Sequence, residues 1–123
     1  MTAIDTGVSV KFENLSMSTL RSRQGQPHEF AGPAVDPRAT TIGIVHFGIG
    51  AFHRSHQAVY TEDAAAAAEE ARWGILGVTG RAETVVEQLR PQDCLYGVLT
   101  KGATTTSLRI VGAVVEVAWP GRD

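Results

Sequence analysis

A pair of glycines between a predicted strand and a predicted helix constrains the fold of this chain more than any other feature. Residues 41–47 are rich in β-branched and aromatic side chains without apolar–polar alternation, which is typical of a strand buried on both faces of a parallel sheet. Gly48-Ile49-Gly50 breaks that run. Residues 51 to about 72 follow, with apolar side chains seven positions apart and an alanine run at 64–68, and they predict a helix.

The rest of the chain continues this alternation of strands and helices. The pattern predicts, in order, a strand at 73–79, a short helix from about 82 that Pro91 stops, a strand at 95–101, a loop at 102–106 and a returning strand at 107–117. Strands that alternate with helices imply βαβ units around a parallel sheet, so we expect an α/β fold. The last two strands would form a terminal β-hairpin and add an antiparallel portion.

Residues 1–40 differ from the rest in composition. Three of the five prolines lie here, the charges cancel, and the apolar periodicity is weak. Residues 15–23 predict a short helix with a serine near its N-cap. Residues 24–39 predict an extended connector, because a proline disfavours helix in the residue before it, and the free N-terminus is expected to be disordered.

The composition excludes several classes of protein. Lysine and arginine total 11 against 13 aspartate and glutamate, which gives a formal net charge of −2 and leaves no basic surplus for nucleic acid. A single cysteine, Cys94, cannot build a disulfide framework or a cysteine zinc site. No run approaches the roughly 18 apolar residues of a membrane span, and the first residues lack the pattern of a signal peptide. We expect a cytoplasmic chain without a nucleic-acid or membrane partner.

The strand–glycine–helix junction is the context of a G-x-G-x-x-G dinucleotide fingerprint. Gly48 would let the chain turn out of the strand, and Gly50 would let a pyrophosphate approach the backbone in front of the helix N-terminus. His53 stands where the third glycine is usual, so two thirds of the motif is present. On spacing alone, an ordinary glycine turn and a nucleotide site are equally good interpretations. Arg54 would lie near a phosphate or in solvent.

The usual second mark of such a site is an acid after the second strand, bonded to the adenosine ribose. Here that strand ends in a segment without an acid, Thr79-Gly80-Arg81. The acids at 69–70 precede the strand, Glu83 could reach back from the next helix, and Arg81 could instead meet a 2′-phosphate. The residues themselves leave NAD and NADP both open.

Two other chemistries are considered and set aside. His53 and His56 lie on one helix face with His46 in the strand before, but no carboxylate or thiolate completes a ligand pattern, so no metal site is predicted. No histidine follows Cys94, which favours an unreactive thiol over a nucleophile.

Residues 44–58, IVHFGIGAFHRSHQA, resemble the nucleotide-binding signature of the long-chain polyol dehydrogenases, the mannitol dehydrogenase family. The part after the glycines is far more specific than G-x-G, and the family itself carries histidine at the position of His53. Residues 73–78 resemble the family's second strand, and 92–96 resemble its QDGLY segment with Cys94 in place of glycine. The resemblance covers about 15–117 and is nearest to the mannitol 2-dehydrogenases.

This resemblance implies a partial Rossmann-type (doubly wound) domain that binds NAD(H), or less often NADP(H). It implies reversible, zinc-independent hydride transfer between a polyol or hexonate and its keto form, with mannitol and fructose as one such pair. The family's catalytic lysine lies in a separate helical domain, and neither Lys11 nor Lys101 matches its motif, so no catalytic residue is assigned. The cofactor-binding residues are carried over by position: Phe47, Gly48, Ile49, Gly50, Ala51, Phe52, His53 and Arg54.

We accordingly expect an arm and connector at 1–40 and an incomplete, truncated Rossmann-type domain at 41–123, with the catalytic domain absent. A separate chain could supply the missing half. An unpaired central strand would then form one edge of the sheet and make the isolated chain marginally stable or prone to aggregate. The alternatives are a hexonate-type (fructuronate or tagaturonate) reductase fragment, a non-catalytic remnant or nucleotide-binding module, and an interaction domain that binds no nucleotide.

Overall fold

The computed structural model describes residues 15–22, 30–81 and 83–123, so the predictions for residues 1–14 and 23–29 lie outside the described residues. The elements are helix α1 (Met17–Ser22), strands β1 (Phe30–Ala31) and β2 (Ile42–Phe47), helices α2 (Ala51–Ser55) and α3 (Gln57–Ala68), strand β3 (Gly74–Val78), helix α4 (Thr84–Leu89), a 3-10 turn (Arg90–Gln92), and strands β4 (Tyr96–Lys101), β5 (Thr106–Val111) and β6 (Val114–Ala118). No helix in this part of the chain has the length and apolarity to cross a bilayer.

The main sheet is parallel and has the order β2-β3-β6. Phe47 pairs with Val78, and Val78 pairs with Ala118, so the carboxyl ends of all three strands meet at one edge. Helices α2 and α3 connect β2 to β3, and α4 lies in the connection from β3 to β6. This confirms the predicted α/β fold with βαβ units, and it has the strand order of one half of a doubly wound sheet.

The smaller sheet has the order β1-β5-β4 and contains the predicted hairpin. Strands β4 and β5 pair antiparallel, and β1, from the connector, pairs parallel with β5. The single returning strand expected at 107–117 is wrong, because the segment forms two strands in two different sheets. The backbone leaves the hairpin at Gly112, whose N–H donates to Glu62 rather than to a neighbouring strand, and a Cβ there would lie 2.5 Å from Pro37.

The single helix expected from 51 to about 72 is also wrong. It is broken at His56 (φ −123°, ψ −76°), and α3 ends at Ala68, before Glu69 in left-handed backbone. Local side chains account for the break: the Ser55 hydroxyl donates to Ala51 O at 2.7 Å, and His56 Nδ1 donates to Phe52 O at 3.0 Å. Such bonds compete with the regular helix ladder at this position.

The core lies between the parallel sheet and its helices. Strands contribute Ile75, Val114 and Val117, and helix α3 contributes Ala58. Helix α4 contributes Val86 and Leu89, two residues of its predicted apolar face. A second cluster joins Met17 of the arm to Leu95 and Ile110. Asp93, in the turn before β4, also accepts the backbone N–H of Met17 at 2.9 Å, so the arm is fixed both to this turn and to the second cluster.

Strand β2 pairs with β3 on one side, and no other described strand pairs with it. The apolar side chains next to this open edge are exposed: Ile42, Val45 and Phe47 on β2, Phe52 on α2 and Tyr60 on α3. The strand that is central in a doubly wound sheet is therefore an edge in the part of the chain that the structure describes.

Candidate nucleotide-binding site

Gly48 forms the turn at the carboxyl end of β2. Its φ of 101° lies in the left-handed region that favours glycine. Its N–H donates to Val78 O at 2.7 Å, so the turn remains attached to β3. Its N–H is therefore already used within the sheet, and the N–H groups that remain for a ligand come later in the loop.

Gly50 precedes α2 in ordinary extended backbone (φ −73°, ψ 178°), which any residue adopts. A Cβ built there would meet no protein atom within 4 Å. Neither conformation nor internal packing requires glycine at this position. The space in front of Gly50 is open, which fits a phosphate approaching the backbone. The first N–H groups of α2 adjoin this space and have no acceptor within the helix.

Ile49 has an internal role. Its side chain is 2% exposed, and a Cβ on Gly77 of β3 would lie 2.5 Å from its Cδ1 atom. Gly77 thus leaves room for Ile49, which anchors the glycine loop to the sheet. Sequence reasoning missed this role of Gly77, although a glycine inside a strand signals a close approach of this kind.

His53 occupies the position of the third glycine and is buried between α2 and β2, at 6% exposure. Its ring stacks on His46 at 3.8 Å between centroids, and His46 Nδ1 donates to Gly48 O at 2.7 Å. Burial, reinforced by the neighbouring His46, lowers the pKa of His53 and keeps it neutral, although the bond to Gln57 acts in the opposite direction. The two rings therefore support the loop from behind.

The neutral His53 ring has one unused polar atom. Nδ1 donates to Gln57 Oε1 at 3.3 Å, and the buried Nε2 has no hydrogen-bond partner among the described residues. In this tautomer Nε2 is an acceptor.

Arg54 is half-buried against the hairpin rather than free in solvent. Its guanidinium lies 5.8 Å from the centre of the Tyr96 ring, its buried Nε has no partner among the described residues, and Tyr96 OH donates to Arg54 O at 2.6 Å. Burial raises the pKa of the Tyr96 phenol far above its ordinary value, so it remains a donor. Ala51 and Arg54 line a cavity of about 280 Å³ that β4 closes on the other side.

The eight residues expected to bind cofactor therefore divide into four groups. Gly48, Gly50 and Ala51 face open space or lie exposed in the loop, whereas Ile49 and His53 are buried behind it. Phe47 and Phe52 are 81% and 77% exposed and lie beside the open edge of β2. Arg54 borders the loop on the hairpin side.

The other candidates have structural roles. His56 bonds within the α2–α3 junction, and no group of three potential ligands in the described ranges could hold a metal ion. Glu70 bonds Arg72 and Trp73 at the amino end of β3, opposite the loop. Burial raises the pKa of Cys94 to about 11, so its thiol stays protonated at neutral pH.

The parallel sheet, its helical crossovers and the glycine loop at the carboxyl edge define a Rossmann-type nucleotide-binding domain. A family model described as the mannitol dehydrogenase Rossmann domain matches residues 42–122. The chain therefore belongs to the mannitol dehydrogenase family, as the resemblance implied.

Two relatives illustrate the range of this family. The chain is 40% identical over 96 residues to D-mannonate oxidoreductase of Escherichia coli (strain K12), covering 76% of this chain and 20% of that protein. It is 36% identical over 104 residues to polyol:NADP oxidoreductase of Gluconobacter oxydans (strain 621H), covering 80% of this chain and 21% of that protein.

A solved structure shares the fold. The ternary complex of Pseudomonas fluorescens mannitol 2-dehydrogenase with NAD and D-mannitol matches with a TM-score of 0.79 and 30% identity, covering 90% of this chain and 23% of that one. NAD is bound in that neighbour, which agrees with the cofactor that the resemblance implies. The chain thus spans about a fifth of the length of the proteins it matches.

Proposed function

We propose that this chain binds a nicotinamide dinucleotide at Phe47–Arg54, as the cofactor-binding part of an oxidoreductase that transfers hydride between NAD(P) and a polyol–ketose pair such as mannitol and fructose. Gly50 carries the proposal, because it is a glycine that neither its backbone angles nor its neighbours require. The Pseudomonas neighbour, which holds NAD and D-mannitol, supports the class of cofactor and substrate.

In this proposal the chain binds and orients the cofactor but does not move the substrate proton. The N–H groups from Gly50 into the first turn of α2 hold the pyrophosphate, and Arg54 borders it. Ile49 and the stacked pair His46 and His53 hold the loop still. The bound nicotinamide would supply the hydride chemistry.

The acid–base group and the sugar pocket belong to polypeptide outside this chain, in the same protein or in a separate chain. The resemblance assigns a lysine to that role, and Lys101 lies at the exposed end of the β4 hairpin strand. We propose the same division of the chain as before: an arm and connector at 1–40 and an incomplete cofactor-binding domain at 41–123. A cytoplasmic location is part of the same proposal.

Titration of NADH fluorescence against the purified chain tests the binding role. Gly50→Val keeps an allowed backbone and a free Cβ, so the variant should fold, yet its side chain fills the space of the pyrophosphate. We expect binding to fall at least about tenfold, the effect of losing roughly 1.4 kcal/mol. Gly32→Val is the matched control, since its Cβ also meets nothing within 4 Å and it lies in the connector. Unchanged NADH affinity in folded Gly50→Val would refute the site.

A hexonate substrate is the second candidate, because the chain is 40% identical to a D-mannonate oxidoreductase. A third is a module that binds nucleotide without turnover. Assays of hydride transfer to fructose and to fructuronate, made with the complete enzyme, separate these candidate functions. Reduction of fructuronate alone favours the hexonate substrate. Binding of NADH without reduction of either sugar favours the nucleotide-binding module.

A further inference from the structure

Helix α2 carries Arg54 but is too short to hold it in place alone. The helix has five residues, Ala51–Ser55, and it is broken at His56. The carbonyl groups in the last turn of a helix have no partner within that helix, and an isolated helix of this length is not stable in water. The position of Arg54 therefore depends on what α2 packs against.

Tyr96 supplies such a contact from the hairpin. It is the first residue of β4, its side chain is 7% exposed within the main core cluster, and it pairs across the hairpin with the fully buried Val111. Its hydroxyl donates to Arg54 O at 2.6 Å and so joins two residues 42 positions apart. Burial raises the pKa of this phenol, so the donor persists at neutral pH.

The same tyrosine contacts the Arg54 side chain. The guanidinium lies 5.8 Å from the centre of the Tyr96 ring, a distance at which a cation is attracted to an aromatic ring. Arg54 Nε is buried without an acceptor among the described residues, and an unpaired buried donor is costly. Arg54 and Ala51 line the cavity of about 280 Å³ between α2 and β4. Tyr96 therefore fixes both the backbone and the side chain of an arginine that lacks an acceptor, beside the glycine loop.

We propose that Tyr96 is a positioning residue for the cofactor: it holds Arg54 so that the guanidinium donates to the pyrophosphate bound at Gly50. The inference rests on the proposed function, because it needs a dinucleotide at the glycine loop. It goes further by giving the hairpin, which lies outside the glycine motif, a part in binding. Tyr96 acts through Arg54 and does not itself contact the cofactor.

The test removes only the hydroxyl group, in Tyr96→Phe, and measures the NADH affinity of the 123-residue chain by fluorescence titration. We expect the affinity to fall about three- to tenfold, the effect of one hydrogen bond. Arg54→Gln should weaken binding at least about tenfold, because a charge-assisted contact is lost. The double variant should bind about as weakly as Arg54→Gln, since the effects of residues that act through one another do not add.

The salt dependence of binding separates positioning from a merely structural role. Dissolved ions screen the attraction between a guanidinium and a phosphate, so the affinity of the unmodified chain should fall as potassium chloride is raised. Tyr96→Phe changes no charge, yet it should reduce this salt dependence towards that of Arg54→Gln. A loss of affinity that came only from poorer folding would leave the salt dependence unchanged.

Two variants serve as controls. Tyr60→Phe removes the hydroxyl of a tyrosine that is 67% exposed on α3, and Val86→Ala weakens the core at a fully buried residue of α4. Neither should change the NADH affinity of the folded chain. Unchanged affinity in Tyr96→Phe, or weaker binding with unchanged salt dependence, would overturn this inference alone, with Gly50→Val still showing the loss expected of the proposed site. Absence of NADH binding by the unmodified chain would overturn the proposed function and this inference together.

Discussion

Cys94 has a backbone conformation that a residue with a side chain rarely adopts. Its φ of 60° and that of Asp93 at 53° place two successive residues in left-handed backbone. Asp93 tolerates this conformation and also accepts the N–H of Met17, whereas a Cβ at Cys94 is strained there. The resemblance to QDGLY accounts for the position, because glycine would meet the same backbone requirement without that strain.

We expect Cys94→Gly to be more stable than Cys94→Ala by roughly 1 kcal/mol, because left-handed backbone costs a residue with a Cβ about 1–2 kcal/mol and the larger unfolded-state entropy of glycine offsets part of it. Both variants lose the buried thiol, so their difference reports the backbone strain less the contribution of the one methyl group that Ala still buries. Urea unfolding measures it. The opposite order is expected at Ala65 within α3, where Ala65→Gly should cost about 1 kcal/mol. Equal stability of the two Cys94 variants would argue against strain at this position.

Sequence patterns predict the local part of the site and miss its long-range supports. Gly48, Gly50 and His53 are found because the motif places them within seven residues of a strand end. The close approach of Ile49 to Gly77, and the bond from Tyr96 OH to Arg54 O, join residues 28 and 42 positions apart in the chain. The apolar periodicity within one strand or helix does not predict contacts between residues so far apart in the chain.

Among the elements, helix α3 is joined to the two sheets through one buried carboxylate. Glu62 is 1% exposed and accepts from Arg109 at 2.6 Å, from Gly112 N–H at 2.7 Å and from Ala34 N–H at 3.3 Å. It therefore connects α3 to strand β5, to the β5–β6 junction and to the connector. Arg109 also pairs with the exposed Asp63 at 2.7 Å.

We expect Glu62→Ala to lower the free energy of unfolding by about 2–4 kcal/mol, because it leaves the buried Gly112 N–H unpaired and removes the inner partner of Arg109. Asp63→Ala is the control, since it removes an exposed partner of the same arginine and should cost less than about 1 kcal/mol. Thermal and urea unfolding of the two variants provide the comparison. Similar losses in both would show that Glu62 does not join these elements.

The same contacts explain which element boundaries could be predicted. Strands β2, β3 and β4 are found from their β-branched runs, and α4 from its apolar face and Pro91. The division between β5 and β6 depends on Glu62 and Pro37, which are distant in sequence from Gly112. The break between α2 and α3 at His56 comes from side-chain hydrogen bonds, which a sum of helix propensities does not include.

In the molecule as a whole, the open edge of β2 is the largest departure from an ordinary soluble domain. Val45 is 54% exposed and Phe47 81% exposed on a strand that pairs on one side only within the described ranges, and Phe52 and Tyr60 extend the apolar surface. Exposed edges of this kind are templates for pairing with another strand. In a doubly wound sheet, a further parallel strand would cover this edge.

We expect the isolated chain to self-associate through this surface and to unfold over a broad range of urea concentration. Val45→Lys should reduce association, because a charged side chain on an edge strand opposes strand-to-strand pairing. Leu99→Lys is the control: Leu99 is also 54% exposed on an edge strand, but that strand, β4, belongs to the smaller sheet, so the change should have little effect on association through β2. Sedimentation over a concentration series measures the association. A monomer at all concentrations that unfolds sharply, with an m-value of about 1–3 kcal/mol/M in urea, would show that the edge needs no partner.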